Sequence, residues 1–183
     1  MREVKNNMPN GQNGKTRGNA INKKQADHKF NSPTWGELDF GKMMRLIFSF
    51  MEENTDYKYK LVIGTDSQPN HTISDFVTAV IIHRVGQGGI YFWQRKGLPT
   101  FSLRDRIYKE VLLSLETAQE VTDSLANEES LESLALEIHV DVGKNGETRE
   151  MISEVVGMIR SNGYEVKIKP EAFGAATVAD RHV

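Results

Sequence analysis

Lys60-Leu-Val-Ile-Gly-Thr-Asp66 is a short apolar run bounded by polar residues, the pattern of a buried strand whose last residue carries a carboxylate. The residues after it determine how that strand is used. Ile73 to Val85 and Gly89 to Lys96 are rich in Val, Ile, Thr and aromatic residues and are separated by Gly86-Gln-Gly-Gly89, which predicts a β-hairpin. From Leu103 to about Asn127 the apolar residues Ile107, Val111, Leu115, Ala118, Val121 and Leu125 keep a helical period, so a long amphipathic helix is expected. Glu110 flanks its apolar stripe, whereas Glu116 faces water. Leu134 to Asp141 then alternates, with Leu134, Leu136, Ile138 and Val140 on one side and Glu137, His139 and Asp141 on the other, so a second strand ends on a carboxylate. A turn through Gly143 to Gly146 leads to a helix with Met151, Ile152, Val155, Val156 and Ile159 that stops at Asn162-Gly163. Tyr164 to Lys169 reads as a half-buried strand, and Ala172 to Arg181 as a last short helix holding Asp180.

On the N-terminal side, Ser32-Pro33-Thr34-Trp35 is turn and cap chemistry, and Leu38, Phe40, Met43, Met44, Leu46, Ile47, Phe50 and Met51 predict a leading helix that ends near Asn54. The order after that helix is strand, strand, strand, helix, strand, helix, strand, helix. It predicts an α/β protein with a mixed five-stranded sheet, antiparallel through its hairpin and parallel where helices cross over.

Residues 1–31 are crowded with Asn, Gly and Lys and hold seven Lys and Arg against two acids, a net +5 that leaves −7 for the rest of a chain of net charge −2. Such a segment buries too little apolar surface to offset its ordering entropy, so it is expected to be a disordered basic arm beside a single domain over residues 32–183. A basic arm suits phosphate contacts, but it equally suits a solvated tail. Gly14-Lys15-Thr16 has the ending of a phosphate loop, yet the full pattern needs a glycine where Pro9 stands and a buried strand leading in, so an ATPase is excluded.

The chain of 183 residues has 38% hydrophobic and 26% charged residues, an ordinary globular balance in about one domain's length. It has no cysteine, which excludes disulfides, thiolate zinc sites and cysteine nucleophiles, so any metal would have oxygen or imidazole ligands. No apolar run approaches the roughly 20 residues that span a bilayer, and Met1 to Ala20 lacks the apolar block of a signal peptide. A cytoplasmic location without membrane contact is expected.

Gly64-Thr-Asp-Ser-Gln68, Ile138-His-Val-Asp-Val-Gly143 and Ala172-Phe-Gly-Ala-Ala-Thr-Val-Ala-Asp-Arg-His182 resemble the bacterial YkuK family of ribonuclease H-like proteins, over about Phe30 to Val183. The resemblance implies a ribonuclease H-like fold with an extra N-terminal helix. It also implies a two-metal phosphodiesterase using two Mg²⁺ or Mn²⁺ ions, with nucleic acid as partner, RNA or an RNA–DNA hybrid being favoured. In that scheme Asp66 would bridge both ions, Glu110 and Asp141 would bind one, and Asp180 the other. Hard cations of this kind need carboxylates delivered by several elements to one sheet end.

Each of these residues also has a structural reading. Arg106, four residues before Glu110, could simply pair with it. His182 and His139 could reach a metal or shuttle a proton, or could pack. Ser67 and Gln68 could contact a phosphate or close the strand end. Tyr91, Phe92, Trp93, Arg95 and Lys96 could grip a substrate or face the core. Two other classes stay open: a catalytically inert ribonuclease H-like module binding nucleic acid or a protein, and a nucleotide phosphatase using the same carboxylates.

Overall fold

The computed structural model of the protein describes residues 28–126, 134–143 and 147–183. The expected basic arm therefore lies outside the described residues as far as residue 27, and the turn at residues 144–146 lies outside them too.

Seven strands form one sheet, in the order β2-β1-β5-β4-β3-β6-β7: β1 (Lys29–Ser32), β2 (Gly36–Asp39), β3 (Tyr59–Asn70), β4 (Ile73–Arg84), β5 (Gly89–Pro99), β6 (Ala135–His139) and β7 (Glu165–Lys167). The expected five-stranded sheet is thus corrected to seven. The two added strands are only four residues each, closed by Pro33-Thr34-Trp35 with Gly36 at positive φ, and their turn residues outweigh their short apolar content. Phe30 in β1 is fully buried.

Strands β3, β4 and β5 are antiparallel, whereas β6 and β7 run parallel to β3. Helix α1 (Phe40–Glu52) begins where Asp39 accepts a hydrogen bond from the Lys42 N–H at 2.7 Å, later than Leu38, because β2 takes the preceding residues. Helix α2 (Leu103–Leu125) is capped by Ser102. Helix α3 (Ile152–Ser161) follows a short 3₁₀ turn. No helix among the described residues is long and apolar enough to cross a membrane.

Alternation along the strands gives the sheet two different faces. Leu61, Ile63, Val80, Ile82, Phe92 and Ile138 share one continuous core with Met43, Ile47, Ile107, Val111, Val121, Val155 and Ile159 from the three helices. On the other face Val62, Val77, Ala79 and Ile81 cluster with Ala179, and Val178, Val183, Tyr91 and Trp93 pack against them. That face is covered by a π-helical segment (Gly174–Ala179) and a 3₁₀ turn (Asp180–His182), where the sequence predicts one short helix.

A polar seam runs under α2. Glu110, Ser114 and Thr117 lie one turn apart on its buried side. Thr65 Oγ1 is 2.8 Å from Ser114 Oγ and 2.9 Å from Thr78 Oγ1, its cross-strand partner on β4. Gln94 donates to Thr117 Oγ1 at 3.3 Å.

Candidate functional site

Strand β3 does not end at Asp66, as its apolar run suggests, but continues beside β4 to Asn70. Pro69 is tolerated there because β6 has already stopped, leaving that edge of β3 without a ladder to feed. The parallel pairing of β3 with β6 ends at Gly64 opposite His139, and that of β6 with β7 ends at His139 opposite Lys167. Two residues further, the same register brings Asp66, Asp141 and Lys169 into one row across the end of the parallel half.

Face by face, the expected site residues separate. Asp66 alternates with Thr65 and Ser67, so it belongs to the thinly covered face with Val62, while Thr65 points at α2. Asp141 follows His139 on that same face. Asp180, in the exposed 3₁₀ turn above it, is close enough to raise the Asp66 pKa. Glu110 comes from the helix face. It is 6% exposed and accepts a hydrogen bond from Ser67 Oγ at 2.6 Å.

Burial is the main force on both inner acids. It pushes the Asp66 carboxyl up to about 6, with Asp141 and Asp180 adding to the shift and the Ser67 backbone and Arg106 opposing it. It pushes Glu110 up to about 8, with Asp66 and Asp141 adding and the Ser67 hydroxyl and Arg106 opposing. Arg106 forms no direct bond with Glu110. It donates to the Ser67 carbonyl at 3.0 Å, which ties the N-terminal turns of α2 to β3. Ser67 is therefore occupied by Glu110, and Arg106 by the Ser67 backbone.

Lys169 is a member of the site that its sequence context did not reveal. Its Nζ lies 2.9 Å from Asp141 Oδ1, outside hydrogen-bonding geometry, so that this buried oxygen has an ionic neighbour but no hydrogen-bond partner. The lysine stem passes over Gly143, where an added Cβ would stand 3.3 Å from Lys169 Cβ. The usable signal was the pairing of β6 with β7, which sets residue 169 opposite residue 141.

The two histidines are engaged in packing. His139, 1% exposed, accepts the Gly174 N–H at Nδ1 (3.0 Å) and directs Nε2 at Glu137 (3.3 Å), whose carboxylate also binds Lys60 at 2.8 Å. Burial holds its pKa below the usual histidine range, and one ring nitrogen must stay unprotonated to accept from Gly174. Gly174 is required at this contact, since a Cβ there would sit 2.6 Å from Val62 Cγ1. His182 stacks on Trp93 with ring centroids 3.8 Å apart and planes 8° apart, and its ring faces Tyr91 at 5.8 Å.

Among the described residues, no three His, Asp or Glu side chains converge tightly enough to hold a metal ion as they stand. The donor set nonetheless fits a hard divalent cation in its chemistry. All four expected ligands are carboxylates, one Asp141 oxygen is buried without a hydrogen bond, and Asp66 and Glu110 keep their protons to raised pH beside their acidic neighbours.

The family model described as Ribonuclease H-like matches residues 42–183. The chain is 35% identical over 156 residues to the uncharacterized protein YkuK of Bacillus subtilis (strain 168), covering 79% of this chain and 91% of YkuK. Among solved structures it is similar to RNase H1 from the halophilic archaeon Halobacterium salinarum NRC-1, at 13% identity and TM-score 0.38, covering 68% of this chain and 99% of that one. It is also similar to endonuclease V of Ciona intestinalis, solved with a 24mer DNA containing an inosine followed by a ribo-adenosine, at 10% identity and TM-score 0.36, covering 69% of this chain and 56% of that one.

Proposed function

The chain belongs to the ribonuclease H-like family, as a YkuK-like member, and from that premise we propose that it is a divalent-cation-dependent nuclease hydrolysing phosphodiester bonds in nucleic acid. What supports this reading is the electrostatic coupling of the acids: Asp141 and Asp180 help raise the Asp66 carboxyl, and Asp66 and Asp141 help raise that of Glu110. Asp66 would serve both of two Mg²⁺ or Mn²⁺ ions, Glu110 and Asp141 one of them, and Asp180 the other. Bound there, the ions would supply the positive charge that offsets the phosphate and lowers the pKa of an attacking water.

The remaining residues prepare the site. Ser67 orients the Glu110 carboxylate through its hydroxyl. Arg106 fixes the strand end and tempers the negative charge of Asp66 and Glu110. Lys169 holds Asp141 in place and would set a side-chain cation beside a phosphate seated on that row. RNA or an RNA–DNA hybrid is the favoured substrate. Asp66→Asn is expected to abolish Mg²⁺-dependent cleavage of RNA, DNA and hybrid alike while leaving the fold intact. Undiminished cleavage by that variant would overturn the reading.

A second reading, an inert module that binds nucleic acid, is favoured by one observation: Lys169 already pairs with Asp141. Nucleic-acid binding that persists in EDTA and is lost on deletion of residues 1–31, without cleavage under any metal, would decide for it.

A further inference from the structure

The aromatic residues of β5 invite assignment as a stacking surface for substrate. The geometry points elsewhere, and we propose that Trp93, with Tyr91 and Arg95, is a positioning device for Asp180, acting through His182. This inference rests on the reading of Asp180 as a working carboxylate.

Four contacts carry it. The His182 ring lies parallel to the Trp93 indole at 3.8 Å between centroids, and its Nε2 is 3.4 Å from the Tyr91 hydroxyl. Arg95 donates to the His182 backbone carbonyl. Val178 and Ala179, just before Asp180, lie on the apolar patch that includes Val77, Ala79 and Trp93. Asp180 is thus bracketed, with an apolar seat on one side and a stacked ring on the other. A 3₁₀ turn of three residues has no cooperative stability of its own, so its place over the sheet is set by these attachments. An aromatic stack of this kind is a sizeable part of what holds so short a turn.

His182 in this scheme contributes a flat ring, not a proton. The ring lies flat on the Trp93 indole, and its Nε2 makes a 3.4 Å contact with the Tyr91 hydroxyl. A ring without titratable nitrogens should therefore serve, and a side chain without a ring should not.

The test compares Trp93→Ala, Trp93→Phe, His182→Ala and His182→Phe in the full chain. Amide hydrogen exchange at residues 178–182, without metal, is expected to be about tenfold faster in the two alanine variants and near wild type in the two phenylalanine variants. Calorimetric titration with Mn²⁺ is expected to show binding at the site that Asp180 serves weakened about tenfold in the alanine variants and retained in the phenylalanine ones. Unchanged exchange in Trp93→Ala would overturn the positioning role. So would loss of that Mn²⁺ site in His182→Phe, because that result would make the imidazole itself a ligand. Absence of Mn²⁺ binding in the wild-type protein would instead overturn the metal-dependent reading, and the exchange result alone would then decide whether the turn is held by Trp93.

Discussion

The helix-covered face of the sheet and the face under Gly174–Ala179 are built from the same strands, residue by alternate residue, yet they are held by unequal means. Ile63 and Val80 belong to one continuous core with side chains of all three helices, whereas Val62 and Ala79 belong to a small cluster with Ala179, flanked by Val178, Val183, Tyr91 and Trp93. Glu110 belongs to the first face and is locked by Ser67, while Asp180 belongs to the second and depends on a stacked ring. The expected ligands thus differ sharply in how firmly they are placed. Rigid support goes to the acids on β3 and α2, and the adjustable position goes to the acid on the last turn. A site that must admit and release a polyanion can use such a gradient, since the less stable elements are the ones that move.

Breaking the helix side should have the largest effect. Ile63→Ala removes a fully buried side chain under α2 and is expected to destabilise the whole domain by about 2–5 kcal/mol, measured by denaturant unfolding. A loss below about 1 kcal/mol would show that the two faces are not as unequal as their packing suggests.

Glu110 tests what the rigid side tolerates. Its folded pKa is raised, so the native state keeps a proton that the unfolded chain releases, and stability falls as pH rises from the ordinary glutamate range through about 8. Between about pH 6 and about pH 8, in EDTA, the wild type is expected to lose about 2 kcal/mol more than Glu110→Gln. Parallel pH profiles would place the buried charge elsewhere.

The smallest global effect is expected on the thin face. Gly174→Ala drives a Cβ against Val62 and strains the N–H bond to His139, at a cost of about 1 kcal/mol in overall stability. Its local effect should be larger, with faster amide exchange from residue 174 onward and none of that change in α2. Equal acceleration in both regions would mean that the segment unfolds only with the core.

The sequence shows the helix side more clearly than the thin one. The apolar run at Leu61–Ile63, the hairpin after it and the stripe of α2 each bury enough side chains to announce their period, and all three stand where the pattern sets them. Strands β1 and β2 escaped because four residues between turn formers carry almost no periodic signal. The extension of β3 to Asn70 escaped because Gln68-Pro69-Asn70 reads as a turn unless one knows that β6 stops short. Asp66 and Asp141 were legible as acids after apolar runs. The Ser67–Glu110 bond, the Lys169–Asp141 pair and the His182–Trp93 stack were not, because each joins residues that only the sheet order brings together.

The three buried hydroxyls of Thr65, Thr78 and Ser114 do no chemistry, yet they give Asp66 its address. In a strand the side chains alternate, so sliding β3 by one residue against β4 would exchange the seats of Asp66 and Ser67, turning the carboxylate into the helix core and the serine toward the aspartates. Apolar neighbours alone discriminate poorly between valine and isoleucine rows of similar width. A hydroxyl triple is less forgiving: a slip would leave Thr78 and Ser114 without their partner, at about 1–3 kcal/mol for each stranded group. The fidelity of the site is thus written one residue upstream of it, in side chains that a search for reactive groups would pass over.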